Sequence, residues 1–135
     1  MERKILFKAK RLDNGEWEEG SLLLSERGKV CIGTMLDSNE ENGTPVCFKC
    51  REVDPATVCQ FTGLKDEDGT EIWEHDILKN HPMTNEVTFR NGSFMIVEDY
   101  GDDIVEVPLS NCVLYDNICY LKVIGNKFDR KKGEK

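Results

Sequence analysis

Apolar residues along this chain recur mostly at every second position, in short runs broken by glycine, asparagine and aspartate. Ile5, Phe7 and Ala9 alternate with lysines, a period of two that fits a half-buried strand. Asp13-Asn14-Gly15 then signals a turn, and Trp17 to Leu24 reads as a second strand. Gly28 closes the next turn before a third strand at Val30 to Thr34. Asp37 to Pro45 is polar, charged and Gly/Pro-bearing, a loop or a seam between two halves, with a short strand after it at Val46 to Cys50. Beyond Asp54-Pro55, Thr57 to Thr62 is extended and Asp66-Glu67-Asp68-Gly69 supplies a tight turn.

The sharpest local signal is Asn91-Gly92 between the alternating runs 86–90 and 93–97. Both residues tolerate positive φ, as a two-residue type I′ hairpin requires. That loop length pairs Arg90 with Ser93, Phe89 with Phe94, Thr88 with Met95 and Val87 with Ile96. Val87, Phe89, Phe94 and Ile96 then share one face, expected to be the core side. Ile104 to Val107 resumes strand character, Leu109 to Asp116 suits a short helical turn, and Ile118 to Ile124 is a final strand. Strands at short intervals with almost no amphipathic helix predict a mainly β, antiparallel architecture.

At 135 residues the chain fits one domain. Apolar residues make up 39% and charged residues 33%, enough for a modest core under a well-solvated surface. No stretch approaches the ~20 apolar residues of a membrane span, and the charged N-terminus leaves no room for an apolar secretory segment. A cytoplasmic protein is expected.

Charge changes the picture more. The net charge of −8 hides two basic ends: residues 1–11 carry +4 and residues 127–135 carry +3, so the body between them carries −15. Such a body repels nucleic-acid phosphates. It keeps the protein soluble in the first place, and it can also present a docking face to a basic partner. The candidate interaction surface is the acidic loop with Glu98, Asp99, Asp102 and Asp103, together with Lys127, Arg130, Lys131 and Lys132 in a basic, frayed tail. A divalent-cation site on the acidic loop is disfavoured, because hard-metal sites draw oxygens from several converging segments. An EF-hand around Gly69 fails too: Leu64 and His75 would stand where carboxylates are needed.

Six cysteines raise the question of metal or disulfide. Without an export signal a disulfide framework is disfavoured. Cys47-Phe48-Lys49-Cys50 has zinc-ligand spacing, but no second C-x-x-C completes a site. Packed thiols are the expected state, with no metal and no cofactor. Catalytic motifs are also missing: the chain has no G-x-S-x-G, no phosphate loop, no G-x-G-x-x-G and no H-E-x-x-H. Neither histidine, His75 nor His81, has an evident nucleophile, a Cys59–His75 pairing being the nearest candidate. The expectation is a protein without enzymatic activity.

The stretch Thr57-Val58-Cys59-Gln60-Phe61-Thr62-Gly63-Leu64-Lys65-Asp66, continuing through Gly69, Ile72-Trp73-Glu74-His75-Asp76-Ile77, resembles the YopX family of phage and prophage proteins. That family carries a comparable T-V-x-Q-[YF]-T-G-L-K-D-x-x-G-x-x-I-[YW]-E-G-D-I-V block. Gly92-Ser93-Phe94 and the closing Val123-Ile124-Gly125-Asn126 extend the likeness over most of the chain. His75 departs from it, standing where the family usually has glycine, and the tail after Asn126 is more basic than the usual ending. The resemblance implies a small β-rich phage accessory protein acting in the bacterial host's cytoplasm, and brings no catalytic residues. The order of turns and strands also resembles an SH3-like small barrel, predicted in the region 61–126 and packed on a β-rich N-terminal half. In domain terms the expectation is a single YopX-like domain over 1–126, its halves at 1–52 and 53–126, with the tail at 127–135. The block reads as a fold signature rather than an active site. The leading functional reading is a protein-binding module acting on a host or phage partner. The alternative is a nucleic-acid-associated β-barrel that uses its basic termini, with bases stacking on Trp17, Trp73 or Phe128.

Overall fold

The structure, a computed structural model, describes residues 3–36, 47–80 and 83–129, without the side chains at positions 47, 80 and 99. The polar seam before Val46, His81 and the tail residues Arg130, Lys131 and Lys132 therefore lie outside the described residues. The chain divides into two units, Lys4–Gln60 and one beginning at Phe61. No helix among the described residues is long and apolar enough to cross a membrane.

In the first unit β1 (Phe7–Lys10) pairs antiparallel with β2 (Trp17–Leu24), β2 with β3 (Val30–Leu36), and β3 with β4 (Cys47–Glu52). On its other side β1 takes Cys59 and Gln60, the first residues of β5 (Cys59–Asp66). Alternation places Ala9, Ile32 and Val53 in a buried cluster, with Phe7, Leu22, Val30 and Val58 packed around it. Burial of a side chain such as Ile32 contributes about 1.5–3 kcal/mol. Between β4 and β5, Asp54 caps a 3-10 turn at Pro55–Thr57 by accepting from the Ala56 amide at 3.0 Å. Proline at the start of this turn gives up no needed donor. Thr57 ties the turn down: its hydroxyl donates to the Asp54 carbonyl at 2.7 Å and accepts from the Lys10 amide at 2.8 Å.

The second unit holds the remainder of β5 and then β6 (Glu71–Trp73), β7 (Asp76–Asn80), β8 (Met83–Arg90), β9 (Ser93–Asp99) and β10 (Ile104–Pro108). A 3-10 turn at Leu109–Cys112 leads into β11 (Val113–Tyr115), β12 (Ile118–Cys119) and β13 (Lys122–Asn126). Five strands form an antiparallel sheet in the order β10-β9-β8-β7-β13. Its core is Ile72, Leu78, Val87, Ile96, Leu109, Cys112, Cys119 and Leu121.

The hairpin at Asn91-Gly92 has the predicted register throughout, and both turn residues take positive φ, +53° and +79°. Its core face is only partly as expected. Val87 and Ile96 are fully buried, but Phe89 is 51% exposed and stacks edge-on against Phe94 with ring centroids 5.1 Å apart. Phe89 sits one rung from the turn, beyond the reach of the core cluster, so the two rings cover each other.

Three other expectations need correction. The predicted helical turn over 109–116 is helical only to Cys112, after which the chain is extended. The final strand predicted over 118–124 is two: β12 runs parallel to the end of β5, an exception in an otherwise antiparallel ladder set, and β13 joins the other sheet. Third, the five-stranded sheet is open, and no sheet closes into a barrel among the described residues. Leu109, Cys112, Cys119 and Leu121 share one buried cluster with Leu78, Val87 and Ile96 of that sheet.

Candidate functional site

Two regions stand out in the sequence: the YopX-like block 53–78, read as a fold signature, and the acidic loop 98–103. The block is spent on its own backbone. Gly63, at φ +87°, introduces a register shift in the β5–β6 ladder, and the Thr62 hydroxyl spans it by donating to the Ile72 carbonyl at 2.6 Å and accepting from the Leu64 amide at 3.1 Å. Asp66 is buried at 1% exposure. Its carboxylate accepts from the amides of Asp68 (3.0 Å), Thr70 (2.9 Å) and, from β13, Val123 (3.1 Å). Asp76 is equally committed: it accepts from the Trp73 amide at 2.7 Å and from the Asn126 side-chain amide at 2.9 Å. Asn126 in turn accepts from the Phe128 amide at 2.9 Å. One aspartate thus closes the turn and docks the last strand, and the other holds the end of that strand. Carboxylates engaged in this way position backbone; they are not poised as acid and base.

His75 lies in the turn between β6 and β7 at φ +69°. Its Nδ1 is 2.9 Å from a Glu86 oxygen, its Nε2 is 3.6 Å from Glu74, and its ring meets Phe128 edge-on at 5.2 Å. Cys59 gives its thiol proton to the Thr57 carbonyl at 3.3 Å. Among the described residues no group of three or more His, Cys, Asp or Glu side chains converges as a metal site.

The acidic loop is the turn between β9 and β10. Gly101 takes φ +89° at its tip, and the Tyr100 amide donates to the Asp103 carbonyl at 2.8 Å. Asp102 and Asp103 are exposed, and Glu98 is half-buried where its carboxylate accepts from the Tyr100 hydroxyl. That bond holds the Tyr100 phenol above its ordinary pKa, with burial adding to the effect. Glu98 is directly opposite the exposed Val105. Nearby, Tyr120 is 48% exposed and bonds through its hydroxyl to the Cys112 thiol; the charge of that thiol and the bond raise the Tyr120 pKa. Burial pushes up the thiols of Cys112 and Cys119, which pack in the core. The side chain of Asp99 is outside the described residues.

Of the expected basic residues only Lys127 is described; it is exposed and lies 5.6 Å over the Phe128 ring. Sequence reasoning found the loop but missed the tyrosines. The alternation Cys119-in, Tyr120-out, Leu121-in could have exposed Tyr120 as a surface residue. Of the candidate stacking residues, Trp73 is buried at 4% exposure against Phe61 and cannot offer a face to a base. Trp17 is half-buried, with Lys8 and Lys10 ammonium groups 4.6 and 4.9 Å from its ring.

These arrangements give a physical meaning to the block: Thr57, Thr62, Gly63, Asp66 and Asp76 each perform a backbone task. A family model described as YopX protein matches residues 6–131. The chain belongs to the YopX family. No curated protein matches it. Within this YopX-family chain the block and the closing Gly125-Asn126 are knit together through Asp76 and Asn126, although 50 residues separate them.

Proposed function

We propose that this YopX-family chain is a non-enzymatic accessory protein of a phage or prophage, a binding module that presents its acidic unit to a basic face on a host or phage protein. The observation that carries the reading is the turn between β9 and β10. Exposed Asp102 and Asp103 stand beside Tyr100, which is 58% exposed and oriented by Glu98. Acidic groups steer a basic partner toward the surface, and an exposed tyrosine supplies contact area at little entropic cost. The surrounding unit supports this. The whole unit, Met1–Arg3 with Phe61–Lys135, holds ten Lys and Arg against sixteen Asp and Glu, a net −6, whereas Lys4–Gln60 hold eight against ten. The absence of a catalytic constellation from the sequence, and the engagement of Asp66 and Asp76 with backbone amides, favour binding over chemistry.

The test is capture of partners from nuclease-treated bacterial lysate by the tagged protein and by its Glu98→Lys/Asp102→Lys/Asp103→Lys variant. A partner that binds the wild type should lose about tenfold or more in affinity for the variant at low salt. Equal capture by both proteins removes this loop from the function. A second reading, association with nucleic acid, is favoured by Lys8, Lys10 and Trp17 together on β1 and β2. Its signature is retention that is abolished by nuclease and falls steeply with salt.

A further inference from the structure

Cys31 and Cys50 occupy adjacent strands of the first unit. In the β3–β4 register Cys31 is opposite Glu52 and Cys50 is opposite Gly33, so the two cysteines are diagonal neighbours on one face of the ladder. Gly33 offers no side chain to Cys50, and the two thiols share a hydrogen bond. Cys50 is exposed, Cys31 is half-buried, and both are free thiols. The other cysteines with described side chains, Cys59, Cys112 and Cys119, are buried. A diagonal pair must shorten its Cβ separation to form a disulfide. Among the described strands β4 pairs only with β3, and its tie to the Arg11–Leu12 segment, through the Leu12 amide on the Glu52 carbonyl at 3.1 Å, lies at its C-terminal end, beyond Cys50, so the adjustment falls on the β3–β4 ladder.

From this geometry we infer that Cys31 and Cys50 form a reversible dithiol–disulfide pair, oxidised by low-molecular-weight disulfides. The Cys50 thiolate, reachable from solvent, attacks one sulfur of glutathione disulfide. The S–S bond of the oxidant breaks, one glutathione thiolate leaves, and Cys50 holds a mixed disulfide. Deprotonated Cys31 then attacks the Cys50 sulfur and expels the second glutathione. Two protein thiols are oxidised to one disulfide, and one glutathione disulfide is reduced to two thiols that carry the two protons. Burial, the bond to Cys50 and the charges of Cys50 and Glu52 raise the Cys31 pKa, while Lys29 opposes them. Once Cys50 is in the mixed disulfide its bond and charge are gone, but burial and Glu52 still act on Cys31, and the second step, which needs the Cys31 thiolate, quickens as pH rises. The product joins β3 to β4 and closes a ring of 20 residues, 31 through 50.

The experiment is to incubate the native full-length protein with glutathione disulfide, block the remaining thiols, and map linkages by peptide mass spectrometry. The expected result is a Cys31–Cys50 cross-linked peptide lighter by two hydrogens, present in wild type and in Cys47→Ser, absent in Cys50→Ser, and reversed by dithiothreitol. Cys31→Ser should stop at glutathionylated Cys50. The oxidised wild type should melt higher than the reduced form, because the bridge restricts the unfolded chain. Two results would overturn the proposal: Cys50 accumulating only as the glutathione adduct in the wild type, or a bridge to Cys47 in place of Cys31.

Discussion

At the scale of single residues, His75 is the most informative position. A left-handed backbone costs a residue with a Cβ about 1–2 kcal/mol, and glycine escapes that cost. The turn at φ +69° therefore explains why glycine is the usual family residue there. Histidine recovers part of the cost through Glu86 at 2.9 Å and the edge contact with Phe128. Replacing it separates the two contributions. His75→Ala loses the contacts and keeps the strain; His75→Gly loses the contacts and the strain together. Urea denaturation should find His75→Ala less stable than His75→Gly by about 1 kcal/mol. Equal stabilities would mean that the turn does not impose the conformation. The sequence showed that His75 was out of place in its motif, but of the two glutamates beside it only Glu74 is a chain neighbour. The other, Glu86, lies eleven residues away, and only the β7–β8 register brings it near.

At the scale of elements, turn chemistry was the most legible layer. Asn91-Gly92 fixed the hairpin rung by rung, and the turn read at Asp66 to Gly69 does place Gly69 at positive φ. What failed were statements about long-range partners. Ile118 to Ile124 alternates well enough to read as one strand, yet its two ends serve different sheets, because Cys119 meets Asp66 while Val123 meets Leu78. Period-two alternation reports that a segment is extended and half-buried; it carries no information on which neighbour it pairs with. The expected barrel failed on the same ground, since closure is a matter of partner choice at sheet edges.

Close strand approach in the first unit was also invisible in sequence. A Cβ on Gly20 in β2 would come within 2.5 Å of the Gly33 carbonyl oxygen and 2.8 Å of the Thr34 hydroxyl. The nearest atom is backbone in the paired strand and cannot swing aside. Gly20→Ala should therefore destabilise the protein by about 2–3 kcal/mol despite the better strand propensity of alanine. A thermal melt within a degree of wild type would show that β2 and β3 can separate at no cost.

At the scale of the whole molecule, charge was fully readable from the sequence, but its distribution between units was not, because the boundary at Phe61 falls inside a strand. Once that boundary is known, most of the acidity belongs to the unit that begins at Phe61, whose net charge is −6 with its basic tail and Met1–Arg3 included, against −2 for Lys4–Gln60. Two of its ion pairs, Arg90 with Glu106 and Lys122 with Asp68, involve an exposed base in each case and contribute little. Acidic groups outnumber basic ones in the unit, so net repulsion is the expected balance, and repulsion is felt more in the folded state, where the charges are closest. Added salt screens these charges once the Debye length falls below their spacing, from about 30 Å at 0.01 M to about 10 Å at 0.1 M. The melting temperature should accordingly rise as sodium chloride is raised across that range at neutral pH. The Glu98→Lys/Asp102→Lys/Asp103→Lys variant, less acidic by six charges, should melt higher than wild type at low salt and respond less to added salt. A melting temperature that falls with salt would mean that attractive pairs outweigh the surplus, and the acidic unit would then be internally neutralised rather than held open for a basic partner.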